Sequence, residues 1–350
     1  MVTGGSGFLG QHIVNLLQTK ADHVREIRVL DIKPYKNCYG DHDSKVILST
    51  VGCVTDSNIV CNALQGVDTV YHIAGKISYG TFPDITGMHH INVEGTSNLI
   101  KACLLNDVKR LIYCSTVDVV IGYDDIIDGN EANTAPPREF LFPGYPETKY
   151  KAECLVLKAN GSQTKNGSVL QTISLRANVM YGEGDPYYIT NGLRNARDSH
   201  GTLYQVGDGT ALFQPVYVGN TAWAFICADK ALAKNSNLGG KFYFIPDDTP
   251  QQNTFKFMEP FLEVRGYSLS SIKFPFRLVY YFLFFSELVV KGLSPFIKIN
   301  LPAESYSIKY INMNLTFSSK KARQEIKFKP IFSPEEAKQR SLQYYKHVAL

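Results

Sequence analysis

A chain of 350 residues with 44% hydrophobic, 12% aromatic and 19% charged residues has the make-up of a globular protein, large enough for one broad α/β domain with an appended part or for two domains. The formal charge of +4 is too small to argue for nucleic acid, and no such partner is expected. Seven scattered cysteines without a Cys-x-x-Cys pair indicate neither a disulfide framework nor a zinc site; they suit a reducing compartment, and no metal is expected.

The first stretch, Thr3-Gly4-Gly5-Ser6-Gly7-Phe8-Leu9-Gly10, organises the rest. Gly4, Gly7 and Gly10 let a strand turn sharply into a helix and let backbone amides reach a pyrophosphate with no Cβ in the way, while the helix N-terminus supplies positive potential. Leu9, Ile13, Leu16 and Leu17 then recur at helical spacing, and the next apolar run, Ile27 to Leu30, ends at Asp31. An acid at the tip of the second strand accepts both ribose hydroxyls of an adenosine and repels a 2′-phosphate, so the pattern predicts NAD rather than NADP. Only three residues precede Gly4, against about five or six in a usual strand, and the natural chain is expected to start upstream of Met1.

After Asp31 a polar, turn-rich passage reaches Asp43. A strand around Val46-Ile47-Leu48 follows, then a helix carrying Ile59, Val60, Ala63 and Leu64. Thr69 to Ala74 reads as a strand, 75–87 as a loop rich in glycine and proline, and Ile91 to Leu105 as a helix. Arg110 to Cys114 is the next strand, ending at Ser115-Thr116. A helix begins near Tyr145, with Ala152, Leu155 and Val156 inward and Asn160-Gly161 as its stop, and Gln171 to Arg176 is a sixth strand. Alternating strands and helices predict a Rossmann-type, doubly wound parallel sheet with ligands at the carboxyl ends of its strands. Beyond Gly182 the alternation loosens. The expected division is therefore 1–182 for the dinucleotide-binding domain and 183–350 for a smaller substrate-binding part.

Tyr145 and Lys149 stand four apart on the predicted helix, hence on one face. A phenol titrates near 10 and becomes a base at neutral pH only when a neighbouring cation stabilises the phenolate; Lys149 and an oxidised nicotinamide are the candidates. At the preceding strand end a hydroxyl can hold a substrate oxygen while Tyr145 takes its proton. Thr116 is the first choice and Ser115 the second, the plainer alternative being that both only cap the strand.

These residues resemble a known family. The glycine loop, Asp31, Asn92-Val93-Glu94-Gly95-Thr96, Tyr113 to Thr116, Tyr145-Pro146-Glu147-Thr148-Lys149 and Leu175-Arg176 through Tyr181-Gly182-Glu183-Gly184 are similar to the extended short-chain dehydrogenases. Pro215 to Ala224, Phe244 to Pro250 and Phe317-Ser318 to Ala322 narrow this to the 3β-hydroxysteroid dehydrogenase/Δ5-Δ4 isomerase branch. The resemblance implies oxidation of a steroid or sterol 3β-hydroxyl by NAD, with Thr116, Tyr145 and Lys149 catalytic, Ser115 in reserve and Asn92 supporting the Lys149 proton path. It implies cofactor contacts at Gly4, Gly7, Phe8, Leu9, Gly10, Asp31, Val54, Ala74, Tyr145 and Lys149. Asp247 and Asp248 match the region proposed for isomerisation, and a solvated turn ahead of Pro250 explains them equally well. Departures from the family pattern are Cys53, where an aspartate usually faces adenine, and Ala177, where a proline is usual.

Segment 274–299 is rich in aromatic and aliphatic residues but is interrupted by Arg277, Glu287 and Lys291. It reads as a helix lying in the membrane interface rather than a span of about 20 apolar residues, with a buried core helix as the alternative. Lys320, Lys321, Arg323, Lys327 and Lys329 could sit against headgroups, although a solvated face explains them better. Association with a membrane surface is thus expected, the endoplasmic reticulum first and the mitochondrion second, with the catalytic part in a reducing compartment and a homodimer as a further expectation. Three alternatives stay open: a decarboxylating sterol 4-carboxylate 3-dehydrogenase, a sugar-nucleotide epimerase or dehydratase, and a catalytically inactive NAD-binding scaffold.

Overall fold

The computed structural model describes residues 1–39 and 45–350, so the end of the polar passage expected to reach Asp43 falls outside them. Among the described residues, seven strands form one parallel sheet. They are β1 (Val2–Thr3), β2 (Glu26–Asp31), β3 (Val46–Val51), β4 (Thr69–His72), β5 (Arg110–Thr116), β6 (Gln171–Ala177) and β7 (Lys241–Phe244). Their order is β7-β6-β5-β4-β1-β2-β3, and every pairing is parallel. The direction of winding reverses between β1 and β4, which opens a crevice above the carboxyl ends of those strands. β1 is short but central: Val2 pairs with Val29 on one side and Tyr71 on the other.

Helices cover both faces. On one lie α1 (Phe8–Lys20) and, further along the chain, Val218–Lys234; on the other lie α2 (Ser57–Ala63), α3 and α4 (Tyr145–Lys158). Helix α3 is continuous from Ile85–Met88 through a π-helical turn, His89–Glu94, into Gly95–Leu105. The inward residues expected of α1, Leu9, Ile13, Leu16 and Leu17, are buried with Ala222, Phe225 and Ile226, while Ala152 and Val156 join Leu99 and Cys103 on the opposite face.

The remaining helices are α5 (Tyr188–Asp198), α6 (the Val218–Lys234 helix), α7 (Thr254–Glu263), α8 (Phe276–Leu293), α9 (Ser305–Tyr310), α10 (Lys320–Glu325) and α11 (Pro334–His347). The expected division at residue 182 does not coincide with the layers. Helix α6 and strand β7 come from beyond it, yet β7 adds to the sheet through Tyr243 opposite Leu175 and Phe244 opposite Arg176. A third apolar cluster, including Val119, Phe142, Phe213, Tyr310 and Phe317, joins the sheet's carboxyl end to the covering part.

Segment 274–299 contains α8, whose buried residues are Leu283, Glu287 and Val290. Glu287 caps the start of α9, its Oε1 accepting from Ser305 N at 2.5 Å. Along the outer side Leu278, Phe282, Phe285, Leu288 and Val289 are exposed, as is Phe296 beyond the helix. Among the described residues no helix is long and apolar enough to cross a membrane. Part of the basic stretch is engaged by the protein itself: Lys321 lies over the Tyr243 ring and Arg323 donates to Asp248.

Candidate active site

The glycine loop has the geometry of a dinucleotide cradle. Gly4 has a φ of +71°, and a Cβ there would stand 2.8 Å from Ala74 N; one on Gly10 would stand 2.1 Å from Gly4 O. The loop, the start of α1 and the end of β4 are therefore pressed together as only glycine permits. Gly7 begins α1 without a side-chain cap, and no acid occupies the first turn, so its amides meet no competing carboxylate. Leu9 is buried behind them, and Phe8 faces Gly184, where a Cβ would come within 3.3 Å of its ring. Asp31 ends β2 with its carboxylate turned back to the loop, accepting from Ser6 N at 2.9 Å and Lys33 N at 3.0 Å. That placement fits the adenosine ribose of NAD. Val54 is buried against Gly95 in α3, and Cys53 beside it accepts at Sγ from the Thr55 hydroxyl.

Tyr145 opens α4. Gly144 before it has a φ of +76° and passes so close to α3 that a Cβ would reach Met88. Lys149, one turn on, is buried and donates to Cys114 O at 2.5 Å, with Nζ 4.3 Å from the Tyr113 ring centre. The pair thus lies against the end of β5. Burial lowers the Lys149 ammonium from its ordinary value, with Cys114 and Glu153 acting the other way. Burial, followed by the Asp118 carboxylate, holds the Tyr145 phenol well above its ordinary value. When bound, NAD⁺ supplies a hydride acceptor and a positive ring charge that favours the phenolate.

Asn92 sits in the π-helical turn of α3, a distortion that re-aims a side chain within a helix. Its amide donates to Lys76 O at 2.9 Å and Thr148 Oγ1 at 3.0 Å, and accepts from Lys76 N at 2.7 Å. The Thr148 hydroxyl in turn donates to Tyr145 O at 2.9 Å, so Asn92 ties the first turn of α4 to the loop after β4. A Cβ on Gly75 would fall 3.3 Å from Asn92 Oδ1 and 3.8 Å from Lys149 Nζ; glycine keeps the space between amide and ammonium clear.

At the tip of β5, Thr116 and Ser115 point to opposite sides of the strand. Among the described residues the buried Ser115 hydroxyl has no hydrogen-bond partner, whereas Thr116 Oγ1 accepts from Asp118 N at 3.2 Å. Asp118, two residues beyond Thr116, lies beside these hydroxyls. It is buried, accepts from the Tyr310 hydroxyl at 3.3 Å, and burial pushes its carboxyl up to about 6 while Thr116 and Tyr310 oppose that shift. Aromatic rings enclose the space above: Tyr79 meets Tyr145 edge-on at 5.8 Å and Phe142 at 5.4 Å, and Phe142 meets Tyr310 at 4.9 Å. Tyr79 is hemmed in enough to raise its phenol well above its ordinary value, yet 41% of its surface is open.

Asp247 and Asp248 occupy different surroundings. Asp247 is buried and accepts from Tyr217 N at 3.0 Å, Asn220 Nδ2 at 2.8 Å and Thr249 N at 3.0 Å, a set that ties β7 to α6. Asp248 faces solvent and pairs with Arg323 at 2.7 Å. The hydrogen bonds of these two carboxylates do not include Thr116, Tyr145 or Lys149.

Residues 1–276 match the 3-beta hydroxysteroid dehydrogenase/isomerase family. The chain belongs to that family. Its fold is shared with several solved structures. The dTDP-glucose 4,6-dehydratase DesIV from Streptomyces venezuelae, solved with NAD bound, is 20% identical over 99% of this chain and 96% of its own, with a TM-score of 0.71. The epimerase Mth375 from Methanothermobacter thermautotrophicus is 17% identical over 98% and 90%, with a TM-score of 0.73. MoeE5, in complex with UDP-glucuronic acid and NAD, is 19% identical over 98% and 97%, with a TM-score of 0.68. Family membership makes this an enzyme of the NAD-dependent oxidoreductase type.

Proposed function

We propose that the chain oxidises the 3β-hydroxyl of a steroid or sterol to the 3-ketone with NAD as cofactor, and then isomerises the Δ5 double bond to Δ4. The observation that carries this reading is the Thr116, Tyr145 and Lys149 set at the end of β5, covered by the rings of Tyr79, Phe142 and Tyr310. Thr116 orients the substrate oxygen, Tyr145 takes the hydroxyl proton, and Lys149 holds the phenol's surroundings positive. A rigid, apolar alcohol suits an aromatic cleft. The test is a panel of 3β-hydroxysteroids and sterols followed by nicotinamide absorbance, with ketone products identified; no reduction of NAD⁺ by any of them sinks the reading. A product that has lost carbon dioxide from C4 points instead to the sterol 4-carboxylate dehydrogenase.

The sugar-nucleotide alternative is favoured by the fold relatives and is tested in the same panel with UDP- and dTDP-sugars. The exposed outer face of α8, with Phe282 at 69% and Phe285 at 61% exposure, supports association with a membrane surface. A substrate dissolved in lipid gives such a face a purpose.

A further inference from the structure

A ring carried on a loop has no helix turn or strand ladder to hold it, so its position is set by whatever grips the neighbouring backbone. Tyr79 is such a ring. It lies between β4 and α3, and among the described residues it supplies the aromatic contact to the Tyr145 phenol, edge-on at 5.8 Å. We infer that Tyr306 of α9 is a positioning residue that holds Tyr79 over Tyr145 and so sets how tightly a bulky apolar alcohol is seated at the phenol, a role that rests on the substrate reading above.

The loop is gripped at two points in the same manner. At its start the Asn92 amide takes both backbone groups of Lys76, at 2.7 and 2.9 Å. Further on, the Tyr306 hydroxyl takes both backbone groups of Gly80, accepting from Gly80 N at 3.0 Å and donating to Gly80 O at 3.1 Å. Gly80 has a φ of +106°, a conformation that favours glycine, so the second grip falls where the chain turns immediately after Tyr79. The next residue is fastened to the same covering segment: Thr81 is 3% exposed, and its hydroxyl accepts from Leu301 N at 2.9 Å.

Helix α9 gives the grip a fixed base. Glu287 of α8 caps its start at Ser305, and the Tyr306 ring meets Phe142 edge-on at 5.3 Å. One turn on, the Tyr310 hydroxyl donates to Asp118, whose backbone N donates to Thr116 Oγ1. The loop that carries Tyr79 and the strand end that carries Thr116 are thus tied to one face of the same helical turn. Within Tyr306 the two functions divide: the ring packs on Phe142, and the hydroxyl alone reaches the loop.

The experiment compares Tyr306→Phe with wild type on the full chain, since phenylalanine keeps the packing and removes only the two bonds to Gly80. Two neutral hydrogen bonds are together worth roughly tenfold in an equilibrium constant. In the ligand-free protein, hydrogen–deuterium exchange of the amides of 78–82 is expected to quicken by about that factor, with α4 and α6 exchanging as in wild type. On the panel of 3β-hydroxysteroids and sterols, KM is expected to rise roughly tenfold with kcat within about threefold and NAD affinity unchanged, the mark of lost seating rather than lost chemistry. Exchange at 78–82 that matches wild type overturns the assignment, as does a loss confined to kcat or shared with NAD affinity. A second variant, Tyr79→Leu, removes the ring that is held. Tyr306→Phe made in that background should change KM by less than about twofold, and a full further rise overturns the claim that the hydroxyl acts through Tyr79. A wild-type protein that oxidises no steroid or sterol rejects the substrate reading, and the grip on Tyr79 is then decided by exchange alone.

Discussion

Glu153 and Arg176 form a two-point ion pair inside the protein, Arg176 Nη2 to Glu153 Oε2 at 2.7 Å and Nε to Oε1 at 3.1 Å, with both side chains almost wholly buried. Tyr145, Lys149 and Glu153 are successive turns of one face of α4, so the pair that fastens the helix to β6 also fixes where the phenol and ammonium stand. The Ser174 hydroxyl adds a third contact to Glu153 at 2.7 Å.

Glu153→Ala should therefore leave a buried guanidinium without its carboxylate and destabilise the fold by about 3–5 kcal/mol. Urea denaturation should show the midpoint falling with little change of slope. A midpoint within experimental error of wild type would show that the helix is held by apolar packing alone.

Gly10→Ala and Tyr145→Phe should separate binding from chemistry. The added Cβ at residue 10 meets Gly4 O, so NAD affinity should collapse, or the loop unfold. Tyr145→Phe removes only a hydroxyl; NAD should bind as before, while turnover falls by roughly 10²-fold or more. Titration of cofactor fluorescence beside steady-state rates checks both, and unchanged turnover in Tyr145→Phe would remove the phenol from the mechanism.

Much of this was legible beforehand because a parallel sheet covered on both faces writes its strands as apolar runs, and Ile27 to Leu30 or Arg110 to Cys114 are read without help from distant residues. The Tyr145, Lys149 and Thr116 placement follows from the same regularity. Strand β7 was not legible: it has four residues, begins with a lysine, and acquires its identity from the edge of β6. The aromatic cluster was equally hidden, since Tyr79, Phe142 and Tyr310 meet only through the fold. Asp118 adjoined the motif and escaped notice because its burial and its bond to Tyr310 are tertiary facts.

Asp118 also predicts a pH dependence of stability. Its carboxyl is raised from 3.8 to about 6 in the folded protein, chiefly by burial. A raised carboxylate contributes stability below its unfolded pKa and loses it as pH rises through the folded value, here between roughly pH 4 and 6. Asp118→Asn stays neutral, so its stability relative to wild type should improve across that window by up to roughly 3 kcal/mol. Thermal melts of both proteins at pH 4 and pH 7 test this; a constant difference would mean that the carboxyl titrates normally.

The exposed face of α8 gives a further expectation. Phe282→Ser together with Phe285→Ser should leave the melting temperature close to that of wild type, because both side chains point outward, yet should abolish flotation with phospholipid vesicles. Flotation undiminished in the double variant would place the lipid contact elsewhere.

The pairing of β7 with β6 has a consequence for how the chain can be divided. A fragment ending at residue 182 would carry the glycine loop, Asp31, Thr116, Tyr145 and Lys149, yet the backbone of Gln171–Ala177 would become a bare sheet margin, and Arg176 would lose the Phe242 ring stacked 3.7 Å from its guanidinium. Such a margin recruits strands from other molecules. The nucleotide-binding half should therefore aggregate when made alone and become tractable only when residues through Phe244 are restored.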